Sequence, residues 1–279
     1  VLKIIKSGFY TTIQDKGRFG YRHMGVPVSG AMDQRASSLA NAMLENQETD
    51  AVMEMTMTGP TLEFLNGTFI SITGANLSPT LNGAAIETYS VYKIKEGDVL
   101  GFGKHIDGLR AYLAVKGGFL TDKILESRSF YKPITAADHL TSGMEVPYEE
   151  VLNYEPKISH IITTEIDKIE TLLVSKAPEF NILTEEQKEI LFQSSFTIAK
   201  ENNRMAYQLE EPIAPHEHAM LTSATLPGTV QITPGGKLII LMRDGQTTGG
   251  YPRVLQLSDE AINLLSQKAF GSKISLKLL

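Results

Sequence analysis

Thr68-Phe69-Ile70-Ser71-Ile72-Thr73 mixes apolar and hydroxyl side chains and alternates them with a period of two from Ile70 on, the pattern of a strand with one face in the core and one in water. Val99-Leu100-Gly101-Phe102 and Leu109 through Val115 read as further strands, each bounded by glycine. Between them Lys95-Glu96-Gly97-Asp98 and Lys104 through Gly108 read as turns, where glycine adopts positive φ without steric cost. Toward the N-terminus, Met32, Ala36, Leu39, Ala40, Met43 and Leu44 recur at three- and four-residue steps, predicting a helix that Ser29 caps. Met53, Met55 and Met57 alternate along one strand face and are expected to fill the core.

The second half repeats the theme. Thr171-Leu172-Leu173-Val174, Gly228 through Ile232, Lys237 through Met242 and Lys273 through Leu278 read as strands. Thr184 with Gln187 three places on forms a capping box for a helix, and another helix starts near Ser258. From Leu120 to Ser159 the pattern weakens and Pro133, Pro147 and Pro156 interrupt it, so this stretch is expected to be a connection or a mobile excursion. Many strands, few helices and no regular βα alternation predict a mainly β protein of two barrel-like or sandwich-like lobes. The lobes are expected at residues 1–150 and 151–279, with the join between about 120 and 170.

Composition narrows the classes. A chain of 279 residues can bury roughly three quarters of its unfolded surface, and 42% hydrophobic with 21% charged residues excludes disorder as the main state. Asp and Glu total 32 against 26 Lys and Arg, a net charge of −6, with no basic run. Nucleic-acid binding is therefore not expected. The absence of cysteine excludes disulfides, thiolate metal sites and a cysteine nucleophile. No apolar run approaches the roughly 20 residues of a membrane helix. Val1 through Lys6 shows no secretory pattern, although a chain beginning with valine leaves room for a trimmed leader. A cytoplasmic protein is the expectation.

Three glycine-rich polar segments exceed what folding requires. Thr11 through Tyr21 brings Gln14, Asp15, Arg18 and Tyr21 together, and the chain then passes through Gly25-Val26-Pro27-Val28-Ser29-Gly30-Ala31-Met32-Asp33 to the helix. A helix start of this kind offers unpaired N–H groups to an anion or a polarised carbonyl. The same residues also suit a tight hairpin turning on Asp15 and Gly17, with Ser29 and Asp33 as capping groups. Gln246-Thr247-Thr248-Gly249-Gly250-Tyr251 follows an apolar strand and would let backbone approach a small polar ligand. Asp244-Gly245 ahead of it equally signals a hairpin. Gly117-Gly118 beyond Arg110, and Thr73-Gly74-Ala75-Asn76, resemble loops at a barrel rim. Phosphate-loop, dinucleotide and nucleophile-elbow motifs are absent. His216-Glu217-His218 lacks an obvious third ligand, so no metal site is expected.

Taken in order, these segments resemble the family of 5-oxoprolinase C-type subunits, also called the allophanate-hydrolase subunit 2 or KipI-antagonist type, subdomains A and B of a biotin-dependent carboxyltransferase domain. Gln14 through Arg18, Gly25 through Asp33, Glu54 through Pro60, Thr73 through Ala75, Arg110 through Gly118 and Gln246 through Pro252 carry the resemblance. The chain departs from it at Phe130 through Gly143, at Ser175-Lys176-Ala177 and at Ala206-Tyr207. The resemblance implies two cyclophilin-like β-barrel lobes. It implies a complex component, inactive alone, that joins a KipI-like B-type partner and an A-type partner to open 5-oxoproline to glutamate, using ATP with Mg in the complex. Asp15, Arg18, Asp33 and Arg110 are then expected in catalysis, with Gln14, Tyr21, Ser29, Gln246, Thr247, Thr248, Gly249, Gly250 and Tyr251 binding substrate. Arg18→Ala is expected to lower activity and leave folding intact. Two other readings stay open: a carboxyltransferase component acting with biotin, and a non-enzymatic antagonist that binds a KipI-like kinase inhibitor.

Overall fold

The computed structural model describes residues 1–162 and 169–279. Backbone contacts divide the chain into two units, Val1–Arg18 with Ser29–Glu165 and Phe19–Val28 with Ile166–Leu279. The chain therefore enters the second unit twice, first over Phe19–Val28 and again from Ile166.

In chain order the first unit holds β1 (Leu2–Lys6), β2 (Tyr10–Gln14), α1 (Gln34–Met43), β3 (Val52–Thr56), β4 (Thr61–Phe64), β5 (Thr68–Asn76), β6 (Pro79–Leu81), β7 (Ala84–Ala85), β8 (Val91–Ile94), β9 (Val99–Phe102), β10 (Asp107–Val115) and β11 (Glu145–Val146). Among the described residues these strands form a sheet ordered β11-β1-β4-β9-β6-β7 and another ordered β2-β3-β10-β5-β8. One core joins them, with Leu2, Ile4, Leu62, Phe64 and Leu100 from the first and Ile13, Met53, Met55, Ile70, Ile72 and Leu113 from the second. Each such side chain, fully buried, contributes about 1.5–3 kcal/mol.

The outer face of the second sheet is covered as well. Ala36, Ala40 and Leu44 of the α1 region pack on Val52, Phe69, Tyr112 and Ala114. The expectation of a half-wet Thr68–Thr73 strand is corrected here: both faces are buried. The hydroxyls survive burial because Ser71 Oγ donates to the Ala40 carbonyl and Thr73 Oγ1 to the Ala36 carbonyl, each at 2.7 Å, so polar atoms leave water with partners.

Three further expectations change. Of the two capping groups expected, Asp33 caps α1 and Ser29 does not: the Asp33 backbone is extended and its carboxylate accepts from the Ala36 N–H at 2.9 Å. Ser29 has φ 57, outside the extended region a cap occupies. Met57 lies past the end of β3 and is exposed, so only Met53 and Met55 fill the core. The Leu120–Ser159 stretch is no connector. Its Phe130 N–H donates to the Ile13 carbonyl, its Leu140 N–H to the Thr11 carbonyl, and β11 pairs with β1.

The second unit contains β12 (Thr171–Lys176), α2 (Glu185–Gln193), β13 (Phe196–Asn202), β14 (Ala206–Leu209), β15 (Ser223–Ala224), β16 (Thr229–Ile232), β17 (Leu238–Leu241), β18 (Thr248–Gly249), β19 (Arg253–Leu257), α3 (Asp259–Ser266) and β20 (Lys273–Leu278). A closed barrel runs β12-β19-β16-β17-β14-β13-β20, with β12 and β20 parallel across the seam. Register places Val230 opposite Ile240 and Leu255, Ile198 opposite Leu209, and Phe196 opposite Ile274. These residues are buried, as the inward set of a small barrel must be. The capping box of Thr184 and Gln187 is present on α2, and Ser258 caps α3. The molecule is thus mainly β with a few helices, in two lobes. No helix among the described residues is long and apolar enough to cross a membrane.

Candidate functional site

Strand register builds a polar row on the α1-facing side of the first unit. Thr12 lies opposite Glu54, Glu54 opposite Tyr112, and Tyr112 opposite Thr73, so β2, β3, β10 and β5 contribute one residue each. Arg110 precedes Tyr112 by two residues and shares its face. Glu54 is buried, and a carboxylate there must be paired. Its Oε2 accepts from the Met32 N–H at 2.7 Å, and its Oε1 lies 3.9 Å from Arg110 Nε in a buried ion pair. The Tyr112 hydroxyl accepts from the Asp33 N–H at 2.7 Å. Burial pushes the Tyr112 phenol well above its ordinary pKa; Glu54 and Asp33 add to this and Arg110 opposes it.

The backbone donors just ahead of α1 are engaged within the protein. The N–H groups of Ala31, Met32 and Asp33 go to the Asp15 carbonyl, Glu54 and Tyr112. Gly30 makes the close approach possible: its φ is 85, and a Cβ there would come within 2.8 Å of the Lys16 carbonyl. Ser29, expected in binding, is fully buried, and its Oγ has no hydrogen-bond partner among the described residues. A left-handed serine with an unanswered hydroxyl carries both conformational and desolvation costs.

Asp15 and Arg18 are brought together by the 124–129 segment. Asp15 Oδ1 accepts from Ser127 Oγ and Ser129 Oγ, each at 2.6 Å, and from the Gly17 N–H at 2.8 Å; Oδ2 accepts from the Arg128 N–H at 2.6 Å. Arg18 is fully buried; it donates through Nε to the Ile124 carbonyl at 3.2 Å and through Nη2 to the Ser129 carbonyl. Gln14 donates to Thr12 Oγ1 at 3.0 Å and to the Phe130 carbonyl at 3.3 Å, while its buried Oε1 has no partner among the described residues. Arg18, Asp15 and Asp33 thus hold loops in place, whatever else they do.

The second unit presents a more open polar strip. Gln246, Thr248, Gly250 and Tyr251 are exposed and Thr247 is half-buried, whereas Gly249 is buried. A Cβ on Gly249 would lie 2.6 Å from Gln231 Nε2 and 3.0 Å from Gln246 Nε2, so the backbone must be bare where two amides converge. β18 pairs with β15, the Thr225 N–H donates to the Thr247 carbonyl at 3.1 Å, and Gln231 Nε2 donates to the Tyr251 carbonyl at 3.1 Å. The hairpin expected at Asp244-Gly245 does not form: the turn is at Arg243-Asp244, closed by the Gly245 N–H on the Met242 carbonyl at 2.9 Å, and β17 pairs with β14 and β16 while β18 pairs with β15. Asp244 also grips Arg204 in a bidentate pair, Nε to Oδ2 at 2.7 Å and Nη2 to Oδ1 at 3.2 Å. Tyr21 opens a 3-10 turn over Arg22–Met24, whose Arg22 Nη2 donates to the carbonyls of Thr225 and Thr247.

Glu54, Tyr112, Gln231 and Arg22 escaped the site expected from sequence. Glu54 did carry a signal, as the one acidic residue within Val52-Met53-Glu54-Met55-Thr56. Arg22 carried none, because its partners lie 203 and 225 residues away in sequence. His216 and His218 stack at 5.8 Å, and no group of three or more His, Asp or Glu suited to a metal occurs among the described residues.

Comparison with known proteins places this architecture. The chain is 30% identical to the C subunit of 5-oxoprolinase from Escherichia coli K12, over 98% of its own length and 90% of that protein. It is 40% identical to urea amidolyase of Saccharomyces cerevisiae over 47% of its length, which is only 7% of that protein. The crystal structure of Kluyveromyces lactis urea amidolyase superposes with a TM-score of 0.88 at 26% identity, over 100% of this chain and 18% of that one. Residues 24–278, which take in the polar strip and nearly all of both lobes, match the model of the carboxyltransferase domain, subdomain A and B, and the chain belongs to that family.

Proposed function

We propose that the chain is the C-type component of an ATP-dependent 5-oxoprolinase, which opens the cyclic amide 5-oxoproline to glutamate together with B-type and A-type partners. The observation that carries this reading is coverage in both directions: the chain and the C subunit of Escherichia coli 5-oxoprolinase match almost end to end. In the yeast urea amidolyase the corresponding stretch is a small fraction of a much longer protein.

The chemical difficulty is an unreactive lactam carbonyl, which needs donors at its developing oxyanion and a held water. In this chain the Gln246–Tyr251 strip binds and orients the small amide. The buried Glu54–Arg110–Tyr112–Asp33 network fixes the loop ahead of α1. ATP with its Mg is assigned to the assembled complex, and no step through it is assigned to this chain.

Mixing the chain with its B-type and A-type partners should give glutamate release that requires both ATP and 5-oxoproline, with no release by the chain alone. Stable assembly without turnover would instead favour the antagonist role. The local 40% identity to a urea amidolyase favours one second reading, carboxyl transfer to an amide with biotin supplied by a partner. Biotin-dependent carboxylation in the same mixture would support it.

A further inference from the structure

Arg22 is a buried-edged cation that the proposed function leaves unused. It belongs to the second unit, where Nη2 is held by two backbone carbonyls, those of Thr225 and Thr247. Neither partner carries charge, and Arg22 has no carboxylate partner among the described residues. Its other terminal nitrogen, Nη1, is buried and has no acceptor among the described residues. Burial alone lowers the Arg22 pKa from its ordinary value, with no neighbouring charge offsetting it. A guanidinium taken partly out of water without a counter-ion is costly, and an oxyanion is the partner that its planar fork fits.

The surroundings are rich in donors. Thr225, which receives the guanidinium, also donates through Oγ1 to the Gln246 carbonyl, so Arg22 and the Gln246–Tyr251 strip share one hydrogen-bonded cluster. The Gln246 side-chain amide is exposed and has no hydrogen-bond partner among the described residues, and Thr248 beside it is exposed. His23, Met24 and Gly25 of the same turn are exposed, so the guanidinium is carried on a turn that borders solvent.

We propose that Arg22 is the carboxylate-recognition residue of the Gln246–Tyr251 strip, so that the ligand held there is a small amide bearing a carboxylate rather than a neutral one. This rests on the 5-oxoprolinase reading and sharpens it. 5-Oxoproline carries a carboxylate next to its ring nitrogen, whereas 2-pyrrolidinone is the same lactam without it. Urea is neutral.

The test is binding of acetate, 5-oxoproline and 2-pyrrolidinone to the full chain, followed by NMR or calorimetry, in the parent and in Arg22→Gln. The parent is expected to bind 5-oxoproline at least about tenfold more tightly than 2-pyrrolidinone, the range of one charge-assisted contact. Arg22→Gln should erase that preference while leaving 2-pyrrolidinone binding unchanged. Arg22→Lys, which keeps the charge and loses the fork, should fall between them and serves if the glutamine variant does not fold. A preference for 5-oxoproline that persists in both variants overturns the role of Arg22 and leaves the 5-oxoprolinase reading standing. Acetate binding that depends on Arg22, with no added affinity from the lactam ring, keeps the anion site and removes the lactam. A parent chain that binds none of the anions overturns the proposal outright.

Discussion

The Asp33 N–H donates to the Tyr112 hydroxyl at 2.7 Å while the Asp33 carboxylate accepts from Ala36 N–H at 2.9 Å, so one residue is gripped at both its backbone and its side chain as the helix begins. Tyr112→Phe keeps the ring and removes the acceptor, leaving a buried N–H without its partner. The cost is expected to be about 1–3 kcal/mol. Urea unfolding should show a lower midpoint with an unchanged slope; an unchanged midpoint would mean the bond contributes nothing net.

The buried phenols make the protein sensitive to alkali. Burial, ahead of all other causes, raises Tyr112 well above its ordinary value and raises Tyr148 to about 12. The sign follows from the neutral form being favoured on folding. The stabilisation is complete below the unfolded tyrosine value of about 10 and is lost as pH rises from there through the folded value. A spectrophotometric titration should therefore show these phenolates appearing only at strongly alkaline pH or together with unfolding. Smooth ionisation of every tyrosine at the ordinary value in folded protein would contradict the burial.

Arg18→Ala reverses the expectation drawn from sequence alone. Its guanidinium is fully buried and donates to the carbonyls of Ile124 and Ser129, so truncation leaves a cavity and withdraws a donor from each carbonyl. A loss of about 3 kcal/mol is expected, together with faster hydrogen exchange in residues 124–130. Intact stability would restore Arg18 to a purely chemical role.

Asp244→Asn removes the charge that faces Arg204, which is as buried as its partner. Removing one member of such a pair typically costs about 3 kcal/mol or more. Replacing both, Arg204→Met with Asp244→Leu, is expected to recover most of that stability, since neither charge then has to be buried. Thermal melts of the single and double variants decide it; a double variant no better than the single would assign the loss to the turn geometry of residues 243–245.

Much of the fold is legible because period-two patterning survives in Val230 and Ile232, in Leu238 and Ile240, and in Ile274 and Leu276, all inward in the barrel. The caps at Thr184 and Ser258 are equally local signals. The failures share a different physics. Ser71 and Thr73 look wet by composition, yet a helix from another part of the chain supplies carbonyls for their hydroxyls. The 120–159 stretch looks unstructured because its order comes from hydrogen bonds to Thr11, Ile13 and Asp15 rather than from any period of its own. The candidate site divides the same way. Gln246 through Tyr251 announces itself by residue type, while Arg22 becomes notable only once Thr225 and Thr247 have been folded against it.

The early excursion of Phe19–Val28 also bears on how the polypeptide is made and how it can be cut. During synthesis this piece emerges roughly two hundred residues ahead of the residues that Arg22 is anchored to, so the second lobe cannot be finished until translation is nearly over. An expression fragment that starts after residue 165 would lack that piece altogether. Separating the lobes for independent study therefore calls for a rearranged gene that carries residues 19–28 along with the C-terminal half.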